Sequence, residues 1–199
     1  DVARRNAPVV AENLGYANVE FRKGRIQDLG LNLERLDDAL KRRPISDATS
    51  YLAAEQLAGE LRLRNPLVPD DSVDVVVSNC VLNLVPNKRN VLKEIFRVLK
   101  PNGHFSISDI VVNGELPANL RQAAEMYAGC VSGAIQKDEY LRLIEEQGFE
   151  TVLVQKEKEI FLPDDILANF LSAEEIQQFR DSSVGIYSVT VFARKPECC

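Results

Sequence analysis

Apolar residues recur along this chain with two different periods, and the switches between the periods outline its elements. Val2 to Leu14 has helical spacing and Gly15 supplies a C-terminal stop. Val19-Glu20-Phe21-Arg22 alternates as a short strand does, and Gly24 to Leu29 reads as a turn. Asn32 is placed to cap a helix with Leu33, Leu36, Ala39 and Leu40 on one face. Its charges run from Glu34, Asp37 and Asp38 to Lys41, Arg42 and Arg43, an order that suits the helix dipole, and Pro44 ends it. Ser46 or Thr49 starts a second helix carrying Leu52, Leu57 and Leu61.

The period then changes. Val73-Asp74-Val75-Val76-Val77 is β-branched without clean polar alternation, as expected of a strand covered on both faces of a parallel sheet. Asn87 to Leu99 is strongly amphipathic through Val91, Leu92, Ile95, Phe96 and Leu99. Pro101-Asn102-Gly103 breaks that helix and leads into a strand from His104 to Val111. Helices are expected over Leu120–Gly129, Asp138–Gln147 (stopped by Gly148) and about Asp164–Arg180. Strands near Glu150–Glu157 and Tyr187–Arg194 flank the last of these. Strands alternating with helices, closed by a terminal strand pair, predict a three-layer α/β/α sandwich. No internal repeat or low-complexity tract interrupts the pattern.

Composition narrows the partners. The 199 residues suffice for one α/β domain with a sizeable core. A net charge of −6 without a basic stripe argues against nucleic acid and anionic membrane as main partners. No apolar run approaches the length of a membrane span, and no signal peptide opens the chain. The four cysteines show no Cys-x-x-Cys spacing and no His cluster, so a structural zinc site is not expected. They are also few for a disulfide scaffold, which points to thiols in a reducing cytoplasm. Residue 1 is Asp, the single methionine is Met126, and a helix is already under way at residue 2. That is the expected look of the later part of a longer protein.

Candidate chemistry centres on Ser78-Asn79-Cys80-Val81-Leu82-Asn83-Leu84-Val85-Pro86, which follows the apolar strand. Ligands of open α/β sheets bind outside the carboxyl ends of such strands, which puts Cys80 at the mouth of a site. Cys130 lies in Tyr127-Ala128-Gly129-Cys130-Val131-Ser132-Gly133-Ala134, whose small residues would let a ligand come close. Two thiols so framed suggest a soft, thiol-seeking substrate. Plainer readings stand beside this. A cysteine at a strand end is usually a small buried hydrophobe. Small residues around Cys130 also suit tight helix packing. Cys198-Cys199 is either a chelating dithiol or an incidental pair in a tail. His104 reads as structural rather than as a catalytic base. Asp109 either makes a polar contact at the site or serves as an N-cap or turn residue. Glu94 and Arg97 read as a solvated helix face, and Lys156-Glu157-Lys158-Glu159 as an exposed edge-strand device.

The run from Phe96 to Asp109, Phe-Arg-Val-Leu-Lys-Pro-Asn-Gly-His-Phe-Ser-Ile-Ser-Asp, resembles the helix-turn-strand signature of class I S-adenosylmethionine-dependent methyltransferases. Ser78–Pro86 and Gly129–Ala134 resemble something narrower, the arsenite methyltransferases. The resemblance covers most of the chain apart from about 32–69, which is expected to be a helical insertion. It implies that 1–199 is a partial, N-terminally incomplete domain of the Rossmann-like methyltransferase type. The Gly-rich cofactor loop, the acidic residue ending the second strand and a further arsenic-binding cysteine would all lie outside this sequence.

The implied activity is methyl transfer from the cofactor S-adenosylmethionine to trivalent arsenic held by the thiolates of Cys80 and Cys130. The implied substrate is arsenite or thiol-bound arsenic, with a cellular thiol as reductant. Backbone groups of Arg25 and Ile26 would meet the adenine, and Ser78 and Asn79 would approach the methionine end. The chemistry agrees: soft arsenic(III) suits thiolates, binding must deprotonate them, and in-line placement supplies catalysis through proximity. Cys80 and Cys130 are therefore expected to converge, and the chain alone to bind cofactor poorly. Two alternatives stay open: a methyltransferase of another small molecule whose cysteines only pack, and a protein that sequesters metalloids without turnover.

Overall fold

The computed structural model describes residues 1–127 and 131–197, the side chains of 123–127 excepted. Cys130, Cys198 and Cys199 lie outside the described residues. The chain divides into two units, Asp1–Arg25 with Leu29–Leu67, and Ile26–Asp28 with Val68–Cys199.

The first unit is helical. α1 (Val2–Leu14) ends at Gly15, whose φ of 78° lets its N–H donate to the carbonyls of Ala11 and Glu12. The Asn32 side chain caps α2 (Leu33–Arg42) by accepting from the N–H groups of Glu34 and Arg35. α3 (Ala48–Arg64) is capped by Asp47, which shares a reciprocal capping box with Ser50, rather than by Ser46 or Thr49. The strand expected at Val19–Arg22 does not form; residues 16–24 have no regular structure. Alternation sets the faces of a strand but does not supply its ladder, and here side chains provide the hydrogen bonds. Arg4 donates to the Phe21 carbonyl at 2.8 Å through Nε, and Arg22 donates to the Leu67 carbonyl at 2.6 Å. α1 buries none of its residues.

The second unit holds a four-stranded sheet in the order β1-β2-β4-β3. β1 (Val73–Asn79) runs parallel to β2 (Leu99–Asn113), and β4 (Gly185–Arg194) runs antiparallel to both β2 and β3 (Glu150–Glu159). Its helices are α4 (Lys88–Val98), α5 (Ala118–Tyr127), α6 (Lys137–Glu146), α7 (Asp164–Leu167) and α8 (Ala173–Asp181). The single helix expected over 164–180 is thus two, because Ser172 and Glu175 form a capping box that starts α8 afresh. β2 begins earlier than the Pro-Asn-Gly break suggested. Its register jumps from Val73↔Leu99 to Val75↔His104, so the turn loops out of a strand that continues on both sides.

Alternate residues of the sheet face opposite ways. Phe105, Ile107 and Val111 of β2 and Val189, Val191 and Ala193 of β4 pack on Val91, Leu92 and Ile95 of α4 and Tyr140 and Ile144 of α6 in the main core. At the far end of the sheet, Ile110, Val112 and Ile186 join Leu116, Leu120, Leu162, Leu167 and Leu171 in a second cluster. Elsewhere that second face is thinly covered: Val75 is 46% and Val77 75% exposed. The strand expected to be covered on both faces is therefore covered on one. Val73 and Val76 pack against the main core, while β1 lies at the end of the strand order, with its other face open.

Candidate functional site

Because β1 and β2 are parallel, their carboxyl ends open on the same side, with Asn79 opposite Ser108. The chain leaves β1 at Cys80, whose N–H still donates to the Ser108 carbonyl at 2.9 Å. Cys80 has φ of 55°, a left-handed conformation that costs a non-glycine residue about 1–2 kcal/mol. Such strain persists only where neighbouring structure enforces it, and it clusters at ligand sites. The thiol is exposed and donates to Asn79 Oδ1 at 3.3 Å.

What enforces the turn lies directly beneath it. A short 3-10 turn, Leu82–Leu84, follows Cys80. Its N–H groups point at Asp109, a carboxylate only 2% exposed at the end of β2. Asp109 Oδ2 accepts from Leu82 N at 2.8 Å and Asn83 N at 3.3 Å, and Oδ1 accepts from Ile110 N at 2.9 Å. The Asn83 side chain returns a bond, donating to the Ile110 carbonyl at 2.7 Å. Burial pushes the Asp109 carboxyl above the usual carboxylate range, against the pull of its three N–H donors and of Lys88. Burial likewise lowers Lys88, whose Nζ donates to the Gly133 carbonyl at 2.6 Å. Burial also raises the Tyr140 phenol, whose oxygen has no hydrogen-bond partner among the described residues.

Gly133 closes the arrangement. A Cβ there would sit 1.9 Å from the Asn83 carbonyl oxygen, so only glycine permits this approach. Asn83 is three residues after Cys80, and Gly133 is three after Cys130. The segments that follow the two candidate cysteines therefore meet, although Cys130 itself lies outside the described residues.

The remaining candidates fall as follows. Ser78 Oγ is buried without a hydrogen-bond partner among the described residues, a polar atom left over at the strand's carboxyl end. Asn79 is exposed beside Cys80, Ile26 packs against the main core, and Arg25 is exposed. His104 is half-buried with its ring 5.0 Å from that of Phe192, a packing role. Glu94 and Arg97 are not a solvated face. Arg97 grips Glu94 through two bonds of 2.9 Å and also donates to the Val68 carbonyl and to Asp70. Sequence reasoning missed Asn83, Lys88 and Gly133. Asn83 and Gly133 stand inside the two motifs quoted around Cys80 and Cys130 with no role assigned to either, and nearness to Cys80 is the only signal for Lys88. Among the described residues no group of three or more His, Cys, Asp or Glu side chains could hold a metal ion. No helix among them is long and apolar enough to cross a membrane.

Comparison with known proteins fits this geometry. A family model described as a methyltransferase domain matches residues 54–148. An arsenite methyltransferase of Halobacterium salinarum is 37% identical over 129 residues, 65% of this chain and 31% of its own length. One from Aquipseudomonas alcaligenes is 33% identical over 170 residues, 85% of this chain and 39% of its own. The chain thus spans between about a third and two-fifths of these curated relatives. Among solved structures, CrArsM, an arsenic(III) S-adenosylmethionine methyltransferase from Chlamydomonas reinhardtii, superposes with a TM-score of 0.63. It is 28% identical, and the match covers 99% of this chain and 52% of that one. The YcgJ protein of Bacillus subtilis, 14% identical with a TM-score of 0.56 over 97% of this chain and 78% of its own, shares the fold. The strand order, the parallel β1–β2 pair and these superpositions define the Rossmann-like α/β fold of class I methyltransferases. Within that class the chain is similar in sequence to the arsenite methyltransferases named above.

Proposed function

We propose that this chain forms part of an S-adenosylmethionine-dependent methyltransferase that acts on trivalent arsenic held by cysteine thiolates. The observation that carries the reading is the pose of Cys80: an exposed thiol at the carboxyl end of the parallel β1–β2 pair, in a left-handed conformation enforced from below. The cofactor supplies an electrophilic methyl group on a sulfonium. The unsatisfied Ser78 Oγ and the Asn79 side chain suit its polar methionine end, while Arg25 and Ile26 offer backbone groups to the adenine. A Gly-rich loop would complete this cradle.

Cys80 and Cys130 bind arsenic as thiolates: each As–S bond replaces a bond from arsenic to hydroxide or to the carrier thiolate, and the cysteine's proton leaves with that group as water or free thiol. The arsenic lone pair is then aimed at the methyl carbon, and the site needs only to hold the two in line and keep water out. The meeting of Asn83 with Gly133 supports a shared site for the two thiols. Cys198-Cys199, outside the described residues, is the candidate for a second chelating dithiol. The substrate is arsenite or its thiol conjugate, a cellular thiol is the reductant, and the cytoplasm is the compartment that keeps these cysteines reduced.

The test uses the intact natural polypeptide with S-adenosylmethionine and arsenite. Cys80→Ser is expected to abolish methylated arsenic while leaving cofactor affinity nearly unchanged, since an alcohol is a harder and far less acidic ligand than a thiol. Unaltered turnover in the serine variant would refute the thiolate reading. Equal loss of cofactor affinity and turnover would reduce Cys80 to a packing residue.

A further inference from the structure

We propose that Asp109 is a positioning residue for the Cys80 thiol, acting through the backbone of Leu82 and Asn83; this role rests on the reading of Cys80 given above. Cys80 is fixed from both directions. Upstream, Asn79 pairs with Ser108 and the Cys80 N–H donates to the Ser108 carbonyl at 2.9 Å. Downstream, the next N–H groups converge on the adjacent residue of β2: Asp109 Oδ2 takes Leu82 N at 2.8 Å and Asn83 N at 3.3 Å. Two successive residues of one strand, Ser108 by its carbonyl and Asp109 by its side chain, thus hold the chain before and after the thiol. Cys80 is thereby kept at a positive φ that an unconstrained residue would leave.

The carboxylate is itself immobilised. It is 2% exposed, its second oxygen accepts from Ile110 N at 2.9 Å, and the Asn83 amide donates to the Ile110 carbonyl at 2.7 Å. The same turn carries the coupling to the other thiol-bearing segment. The Asn83 carbonyl abuts Gly133, whose own carbonyl accepts from the buried Lys88 ammonium at 2.6 Å. A shift of Asn83 on loss of the carboxylate would therefore disturb the Gly133 segment as well as Cys80. A carboxylate is suited to the task because a single oxygen can accept from two converging N–H groups, and a charged acceptor makes the stronger bonds.

The experiment measures iodoacetamide alkylation of Cys80 in the intact natural polypeptide, resolved by site with mass spectrometry, and arsenite affinity in parallel. Asp109→Ala is expected to raise the Cys80 rate about threefold or more, as the thiol leaves its bond to Asn79. Arsenite affinity should fall by about tenfold, as when a residue supporting a ligand is lost. Asp109→Asn keeps an acceptor oxygen for the turn and should restore most of both. Leu167→Ala, in the second apolar cluster, is the control for general destabilisation and should leave the Cys80 rate unchanged. If Asp109→Ala does not fold, Asn83→Ala is read in its place, with the same direction expected. An unchanged Cys80 rate in a folded variant, no rescue by Asn, or an equal change in Leu167→Ala would overturn the proposal. Wild-type protein that fails to bind arsenite would refute the arsenic reading alone, since the alkylation rates still decide the positioning.

Discussion

The Asp109 carboxyl is sealed from water, and that fixes the sign of its effect on stability. Its carboxyl is held above the ordinary range by burial. The folded chain therefore retains a proton that the unfolded chain releases near pH 4. Stability falls as pH rises from there through the folded value, and is level above it. Asp109→Asn removes this slope. From about pH 4 upward, urea midpoints should shift in favour of the Asn variant until the folded value is passed, and hold level beyond it; a drift the other way would show the charged form to be the favoured one. Gly133→Ala tests the same junction sterically. The added carbon would meet the Asn83 carbonyl, which is backbone and cannot swing aside, so a loss of about 1–3 kcal/mol is expected in urea unfolding. At this scale Cys80 is legible through its place after a β-branched strand. The clamp stayed hidden because Asp109 is far from Leu82 along the chain, and only the β1–β2 register brings them together.

Elements here were readable where local chemistry decides them and misread where a partner does. Gly15, Asn32 and Gly148 act within a turn of their own helices, so their roles could be seen in the sequence. The Val19–Arg22 alternation needed a neighbouring strand, and Arg97 needed Val68 and Asp70, neither of which local pattern supplies. Lys195 is a further case. It follows β4 and is 6% exposed, with Nζ bonded to Asp71 at 2.6 Å and to the carbonyls of Phe96 and Leu99 at 2.9 Å each. It thus ties the end of β4 to the α4–β2 junction. Lys195→Met keeps the apolar stem but leaves two carbonyls and a carboxylate without their cation. A loss of about 2–4 kcal/mol is expected by urea unfolding, with Lys195→Arg a poor rescue because a forked guanidinium does not fit a point-charge site. A loss below about 0.5 kcal/mol would show that solvent replaces the ammonium without cost. Gly59→Ala is the opposite case: it lies inside α3 with nothing within 4 Å of the added carbon, and should raise stability by about 0.5–1 kcal/mol.

At the scale of the whole molecule, the sheet of the second unit has one finished face and one open one. The finished face packs α4 and α6 into the main core. On the open face, Val75 and Val77 of β1 and Leu153 of β3 are 46%, 75% and 52% exposed, with half-buried Ser106 and Phe192 between them. β-branched and aromatic residues side by side on an uncovered sheet favour association, and β1 adds an edge whose far side has no strand partner among the described residues. The 199-residue chain should therefore associate as its concentration rises, despite its net charge of −6. Sedimentation velocity across a hundredfold concentration range reads this directly. Val77→Lys places a charge at the most exposed of these positions, where no packing is lost, and should return the chain to a single slow species without lowering its unfolding midpoint. A wild-type chain that stays monomeric throughout, or a lysine variant that associates equally, would mean that this face is shielded in solution. The same face explains why β1 reads in the sequence as doubly covered: its valines suit a strand with a layer on each side, and within its own unit only one of those layers is present.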